Sequence, residues 1–340
     1  MVPFAGFLMP IQYHSILEEH KRVRSTVGVF DVSHMGEIEI RGDNAMDFVN
    51  YLVTNDVSKL SVNQAQYNAM CYEDGGIVDD LIVYRREDYY LLVVNASNTD
   101  KDFDWILKNK PQDVSAENIS DSITQLAVQG KQAAATLQKL TDVDLSAIKF
   151  YWFREGNLAG VPMIISRTGY TGEPGFELYF DRKYSEEIWN RVFEAGAEFE
   201  IEPIGLGARD SLRLEKKYCL YGNDIDQTTN PLEAGLGWIT KLNKGDFLGR
   251  AALLKIKEAG LKRKLIGFAV EGRLIPRHGY SLEQEGETVG TVTSGCYSPI
   301  LEKNIGLAYL RTDLCEIGTR FNILARGKAI PAEVVKTPFV

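Results

Sequence analysis

Two β-rich runs, Gln66–Tyr72 and Ile77–Tyr84, are separated only by Glu73-Asp74-Gly75-Gly76. Asp-Gly-Gly between such runs is a strong hairpin signal, because tight hairpin turns need the positive φ that glycine supplies. The second run is also unusual within itself. In Gly75-Gly76-Ile77-Val78-Asp79-Asp80-Leu81, two adjacent carboxylates interrupt an otherwise apolar strand. Neighbours in a strand point to opposite faces, so one of Asp79 and Asp80 should point inward. A charge there is costly unless it is partnered. A buried carboxylate beside a pocket suits proton handling or the holding of a nitrogen-bearing ligand. The plain alternative, with Asp79 solvating an edge and Asp80 capping a turn, stays open on spacing alone.

Around this hairpin the chain alternates between helical and strand periods. Ile16, Val23 and Val27 have helical spacing over Ser15–Val27, with Gly28 as a stop. Glu37–Ile40 alternates like a strand, and Asp43 can cap a helix carrying Met46, Val49 and Leu52. Tyr89–Asn95 reads as a strand, Asp102–Leu107 as a helix, Ile123–Val128 as a strand and Gln132–Leu140 as a helix. A long β region covers Phe150–Phe180. Tyr184–Ala195 is an amphipathic helix with Ile188, Val192 and Phe193 on one side, and Gly207–Lys217 is another helix. From Lys264 the pattern changes to short strands split by turns at Gly286, Gly290, Gly295 and Gly318, the signature of a separate small all-β domain. Leu254–Lys264, helical and charged, reads as the linker into it.

A chain of 340 residues with 44% apolar content can build two or three compact domains. The formal net charge is −9 and no Lys/Arg block stands out, which argues against a nucleic-acid partner. No apolar run approaches the roughly 20 residues of a membrane helix; Leu91-Leu92-Val93-Val94 is of strand length. The start lacks a basic segment followed by an apolar one, so no signal peptide is expected. Cys71, Cys219, Cys296 and Cys315 are widely spread without a C-x-x-C pair, so neither a zinc site nor a disulfide framework is expected, and a reducing compartment fits; the expected location is cytoplasmic, or the mitochondrial matrix for a eukaryotic source.

Three further segments can carry chemistry. His34, in Phe30-Asp31-Val32-Ser33-His34-Met35-Gly36, could titrate near neutrality, but without a second His or Cys at ligand spacing a structural role is preferred. Arg167-Thr168-Gly169-Tyr170-Thr171-Gly172-Glu173-Pro174-Gly175-Phe176-Glu177 is glycine-rich without the lysine and spacing of a phosphate loop. Tyr170 offers an aromatic face there, and the Glu177 carboxylate can accept a pair of N–H donors, as on a pterin or purine edge; a simple turn and strand would look the same. In Gly207-Ala208-Arg209-Asp210-Ser211-Leu212-Arg213-Leu214-Glu215, Arg209 and Arg213 lie one helical turn apart. One of them could bind a carboxylate bidentately, and an Asp210–Arg213 ion pair fits the spacing equally well.

Together these segments resemble the glycine cleavage T-protein family of aminomethyltransferases. The resemblance is carried by Phe30–Gly36, Gly75–Leu81, Arg167–Glu177, Gly207–Glu215, Tyr221–Ile225, Ile275–Tyr280 and Gly290–Ser298, in the family's order over almost the whole chain. Two departures are Phe7, where a Trp is usual, and Lys131, where a Pro is usual. The resemblance implies a three-domain, cloverleaf-like α+β folate-binding fold with mixed and antiparallel sheets and a C-terminal all-β barrel or jelly-roll. The implied division is 1–42 with 121–222, 43–120 with 223–258, and 259–340. It implies that Asp80 is the essential carboxylate, that Tyr67, Asn95, Tyr170, Glu177, Arg209 and Trp238 line a folate cavity, and that Arg277 lies near its mouth.

The activity implied by the resemblance is transfer of an aminomethyl carbon from a lipoyl-bearing carrier, the H-protein, to tetrahydrofolate. The products are 5,10-methylenetetrahydrofolate, ammonia and a dihydrolipoyl thiol. Tetrahydrofolate enters as the one-carbon acceptor, no metal is required, and neither nucleic acid nor membrane is a partner. The same fold could also serve a folate-linked demethylase of small methylated sulfur or amine compounds, or a non-catalytic folate-binding factor in iron–sulfur assembly. That last branch carries a Lys-Gly-Cys-Tyr-like motif, which Glu215-Lys216-Lys217-Tyr218-Cys219 does not match.

Overall fold

The structure, a computed structural model, describes residues 1–340 and divides into two compact units. Met1–Asn68 and Asp79–Arg209 form the first, and Ala69–Val78 and Asp210–Val340 the second.

The first unit opens with a small hairpin, β1 (Val2–Phe4) and β2 (Phe7–Met9), followed by helix α1 (Ile16–Ser25). Ser15 is its N-cap. Glu19, fully buried on α1, accepts from the backbone N–H groups of Tyr13, His14 and Gly205 at 2.7, 3.1 and 2.8 Å. The helix ends before the expected Val27, and Gly28 opens β3 (Gly28–Asp31) instead of stopping the helix. The run Val27-Gly28-Val29-Phe30 is β-branched and aromatic, and its buried side chains suit a strand. After β4 (Gly36–Arg41) comes α2 (Ala45–Leu52), whose cap is Asn44, not Asp43, with no side-chain capping bond. What holds α2 is packing, since Ala45, Phe48, Val49 and Leu52 are all buried.

The predicted hairpin is β5 (Gln64–Cys71) and β6 (Ile77–Arg85). Its turn is closed by Tyr72 N–H to the Gly76 carbonyl at 2.8 Å and Gly75 N–H to the Tyr72 carbonyl at 3.0 Å, with Gly75 at φ +89°. With β7 (Tyr90–Val94), α3 (Thr99–Asn109) and β8 (Ser115–Asn118), these strands form a five-stranded sheet of order β5-β6-β7-β4-β8. The chain then adds β9 (Ile123–Gln129), α4 (Ala133–Gln138), β10 (Phe153–Leu158), β11 (Val161–Ser166), β12 (Gly175–Asp181), α5 (Ser185–Gly196), β13 (Glu202–Pro203) and α6 (Leu206–Glu215). The second sheet runs β10-β11-β12-β9-β3-β13, antiparallel except for the parallel pair β3–β13. Ile188 and Val192, one turn apart on α5, join Val29, Leu126, Val128 and Phe176 in its core. Each such side chain contributes about 1.5–3 kcal/mol of transfer free energy.

The second unit carries α7 (Arg250–Ala259) and a closed barrel of β14 (Arg263–Val270), β15 (Ser281–Gln284), β16 (Glu287–Ser298), β17 (Lys303–Arg311), β18 (Arg320–Ala325) and β19 (Lys328–Val335), ordered β14-β17-β16-β15-β18-β19. Closure leaves no unpaired sheet edge. Alternate residues Ile266, Phe268 and Val270 of β14 enter a core with Leu310, Phe321 and Val334. The helix before the barrel starts at Arg250, four residues earlier than expected, and Arg263 and Lys264 already belong to a strand. Gly286 and Gly318 lie in turns, but Gly290 and Gly295 lie inside β16. They are there for close approach: a Cβ on Gly290 would stand 2.2 Å from the Tyr309 carbonyl oxygen. No helix is long and apolar enough to cross a membrane.

Candidate active site

The paired aspartates of β6 lie at the centre of a buried polar cluster in the first unit. Asn95 follows the last residue of β7, so its side-chain amide reaches the backbone of β6, with Nδ2 at 3.1 Å from the Asp80 carbonyl. From there Nδ2 donates to Asp79 Oδ1 at 2.8 Å and to Asp80 Oδ1 at 2.9 Å. Opposite strand faces do not keep the two carboxylates apart, because one amide just past a strand end bridges both. Asp79 is fully buried and also accepts from Asn95 N–H at 2.9 Å and Asn98 Nδ2 at 2.6 Å. Asp80 is partly exposed and accepts from the Tyr67 hydroxyl at 2.8 Å. Thus Tyr67, Asp80 and Asn95 are brought into direct contact.

Burial pushes the Asp80 carboxyl up to about 7, and the neighbouring charge of Asp79 adds to the rise, against the bonds from Tyr67 and Asn95. Burial also raises Asp79, while bonds from Asp102, Asn95 and Asn98 oppose it. Asp102, fully buried on α3, is held well above the carboxylate range by burial and by the charge of Asp79. Both carboxyl groups are thus pushed towards their neutral forms by burial. Asp80 is the member of this group that changes charge near neutrality, with a face open to a ligand. Asn98 and Asp102 were not singled out from sequence. Their signal is positional: Asn98 and Asp102 are four residues apart at the start of α3, so they fall on one helical face, three residues after Asn95.

A second cluster in the same unit surrounds Glu177 on β12. Its carboxylate accepts from Thr168 Oγ1 and, at 3.1 Å, from Gln125 Nε2 of β9. Gln125 Nε2 also donates to the Tyr179 hydroxyl at 3.0 Å, which pairs with the Tyr84 hydroxyl at 2.9 Å, and Tyr84 reaches Thr168 Oγ1 at 3.2 Å. Burial raises the Glu177 pKa, opposed first by Thr168 and then by the Arg209 charge. The Arg209 guanidinium stacks over the Tyr170 ring at 4.5 Å from its centroid. Tyr170, Glu177 and Arg209 are thus gathered around one partly exposed carboxylate. Gln125, Thr168, Tyr84 and Tyr179 lay in ordinary strand or turn sequence; the register of β9 against β12 sets Gln125 opposite Tyr179, and long-range side-chain bonds bring in Tyr84 and Thr168.

His34 is buried with Nδ1 unpartnered and edge-on contacts to Phe4 and Phe7 at 5.5 and 6.3 Å. Burial and the Arg209 charge lower its pKa to about 3, so it is neutral and packs as an apolar ring. In the second unit, Arg213 makes the ion pair expected from spacing, at 2.7 Å from Asp210, and is nearly fully buried against Asp224 and Ser294. It holds the fold. Trp238 and Arg277 also belong to the second unit, where both are exposed, Trp238 by 60%. The four thiols are free; Cys71 is buried and pushed up to about 12, so it is inert as a nucleophile.

A titrating carboxylate fixed by Tyr67 and Asn95, and in the same unit a carboxylate framed by amide and hydroxyl groups, can each orient a ligand rich in N–H donors and stabilise positive charge on it. Residues 1–244 match the family described as GCVT N-terminal domain, and residues 263–340 the glycine cleavage T-protein C-terminal barrel domain. The chain is 51% identical to an aminomethyltransferase of Halothermothrix orenii over 100% of its length and 96% of the relative's. It is 53% identical to one of Bacteroides fragilis, covering 95% of that protein. The crystal structure of glycine cleavage system aminomethyltransferase T from Bartonella henselae superposes with a TM-score of 0.93 at 34% identity, over 100% of this chain and 93% of that one.

Proposed function

Since the chain belongs to the glycine cleavage T-protein family and is an aminomethyltransferase, we propose that it moves the aminomethyl carbon from a lipoyl arm on a carrier protein to tetrahydrofolate. The S–CH2–NH2 carbon loses ammonia, bonds to N5 and then N10 of the folate, and leaves a dihydrolipoyl thiol. The demand on the protein is to hold both nitrogens beside the carbon and to stabilise the cationic iminium formed as ammonia departs. Asp80 suits this role, as a carboxylate poised near neutrality and fixed by Tyr67 and Asn95. This is the observation that carries the reading. Glu177 would read the pterin edge, with Tyr170 stacking and Arg209 supporting its charge. Trp238 and Arg277 join on family grounds, as a wall and the mouth of the cavity.

The three-domain division is proposed on the same basis. Each part would have its own sheet, although β4 (residues 36–41) pairs within the five-stranded sheet. A cytoplasmic location is likewise proposed. The test is turnover by the full chain with tetrahydrofolate and aminomethylated lipoyl protein, against dimethylsulfoniopropionate and dimethylglycine. Only the lipoyl substrate should be consumed, and Asp80→Asn should lower turnover by roughly 10²-fold or more, the scale of a lost preorganised charge. Consumption of a dimethylated compound instead, or full activity in Asp80→Asn, would overturn the reading.

A further inference from the structure

Glu37 has no role in the reaction above and is an anomaly in its own right. It lies on β4, between β7 and β8. Its backbone is satisfied, with N–H donating to Ser120 Oγ at 2.9 Å and the carbonyl accepting from Ile119 N–H at 2.9 Å. Its side chain is 1% exposed, and neither carboxylate oxygen has a hydrogen-bond partner. An orphaned buried carboxylate is among the costliest groups a fold can keep.

The residue lines a cavity of about 360 Å³ within the first unit, a size in the range of small-molecule sites. The other charges around it are committed. Arg86, the one cation in the lining, pairs with Glu155 at 2.9 Å and stacks over Tyr89 at 4.7 Å. Glu39 is bonded by Arg41 at 2.9 Å. The Tyr179 hydroxyl is engaged by Tyr84 and Gln125. Glu37 is therefore the uncommitted charge. Much of the remaining wall is apolar, including Leu91, Ile119 and Met163. Burial drives the Glu37 carboxyl well above its usual range, which is the mark of a carboxylate lacking a counter-charge.

An anion would find no uncommitted cation here, since Arg86 is paired with Glu155, and a hard divalent cation wants six or more oxygen ligands where one carboxylate is free. We propose that this cavity binds a small protonated primary amine, with its ammonium on Glu37 and its apolar body against Leu91, Ile119 and Met163. The site includes none of the residues assigned to folate, and its test does not depend on turnover. Benzylammonium and its neutral counterpart benzyl alcohol serve as probes, titrated calorimetrically into the full chain. One benzylammonium per chain is expected, with benzyl alcohol at least tenfold weaker. Glu37→Gln should weaken benzylammonium tenfold or more, and Met163→Trp, which fills the cavity while leaving the carboxylate, should also weaken it. Asp80→Asn should bind benzylammonium like the native chain. The proposal is overturned if benzylammonium does not bind, if benzyl alcohol binds equally well, if either Glu37→Gln or Met163→Trp retains full affinity, or if Asp80→Asn abolishes binding.

Discussion

Replacing Asp79 by Asn tests whether the neighbouring charge tunes Asp80. Both carboxylates accept from the single Asn95 Nδ2, at 2.8 and 2.9 Å. Two acceptors on one amide nitrogen stand about 4–5 Å apart. At an effective dielectric constant near 20, unit charges at that distance repel by about 4 kcal/mol, or about 3 pKa units at ~1.4 kcal/mol each. Burial raises Asp79 too, so it carries less than a full charge and only part of this is relieved. We expect the Asp80 pKa to fall by about 1–2 units, while burial, the larger cause, continues to hold it above the ordinary carboxylate range.

The assay is the pH dependence of kcat/KM, which reports the free enzyme. If ionised Asp80 is the active form, native activity is lost as pH falls through about 7. In Asp79→Asn that acidic limb should lie about 1–2 units lower. Stability follows the same linkage. A carboxyl whose folded pKa is raised gives its full stabilisation below the unfolded value, and that contribution is lost as pH rises towards the folded value, here about 7. The drop in urea midpoint between pH 5 and pH 8 should therefore shrink in the variant. The amide introduced by Asp79→Asn also meets donors that carboxylate oxygens accept today, costing about 1–3 kcal/mol at every pH, so the pH dependence carries the test. An unmoved acidic limb in a folded variant would refute the electrostatic coupling.

Two other outcomes follow from the geometry. Glu177→Ala should weaken 5-formyltetrahydrofolate by about 1–3 kcal/mol in a calorimetric titration; undiminished affinity would remove Glu177 from the folate site. Phe268→Ala, which empties a fully buried ring packed edge-on to Phe321 at 5.7 Å, should destabilise the barrel by about 3–5 kcal/mol in denaturant unfolding, and a loss below about 1 kcal/mol would contradict the packing described.

The fold was legible where local chemistry and tertiary demand agree. The Asp-Gly-Gly turn, the amphipathic period of α5 and the switch to short strands near Lys264 each leave a pattern in one stretch of chain, and β5–β6, α5 and the barrel follow them. It was illegible where one residue type serves two ends. Gly28 looks like a helix stop, but the buried Val27 and Val29 beside it favour a strand. Gly290 and Gly295 look like turns, yet both sit within β16, where their neighbours come from strands and loops distant in sequence. Asp43 has a good capping side chain and still stands outside the helix, because burial of Phe48 and Leu52 fixes where α2 begins.

The site shows the same division at finer scale. Asp79 and Asp80 declared themselves, because a double carboxylate in an apolar strand demands partners, and the partners exist. Strand alternation alone left the choice between them open, and the family resemblance pointed to Asp80 as the inward one; alternation also treats the two faces as separate, whereas Asn95, just beyond a neighbouring strand, joins both carboxylates. The inward member by burial is Asp79, held by Asn98 and beside Asp102, and the partly exposed member is Asp80. Those facts make the two residues complementary. A charge sunk among donors cannot reach a ligand, but it can raise the pKa of a neighbour that does. The same reasoning separates Arg209 from Arg213. Equal in sequence spacing, one stacks on Tyr170 with its charge turned to Glu177, and the other is spent on Asp224 and Asp210. Where a charge finds its partner decides which residues are left for chemistry, and that depends on pairings tens of residues away.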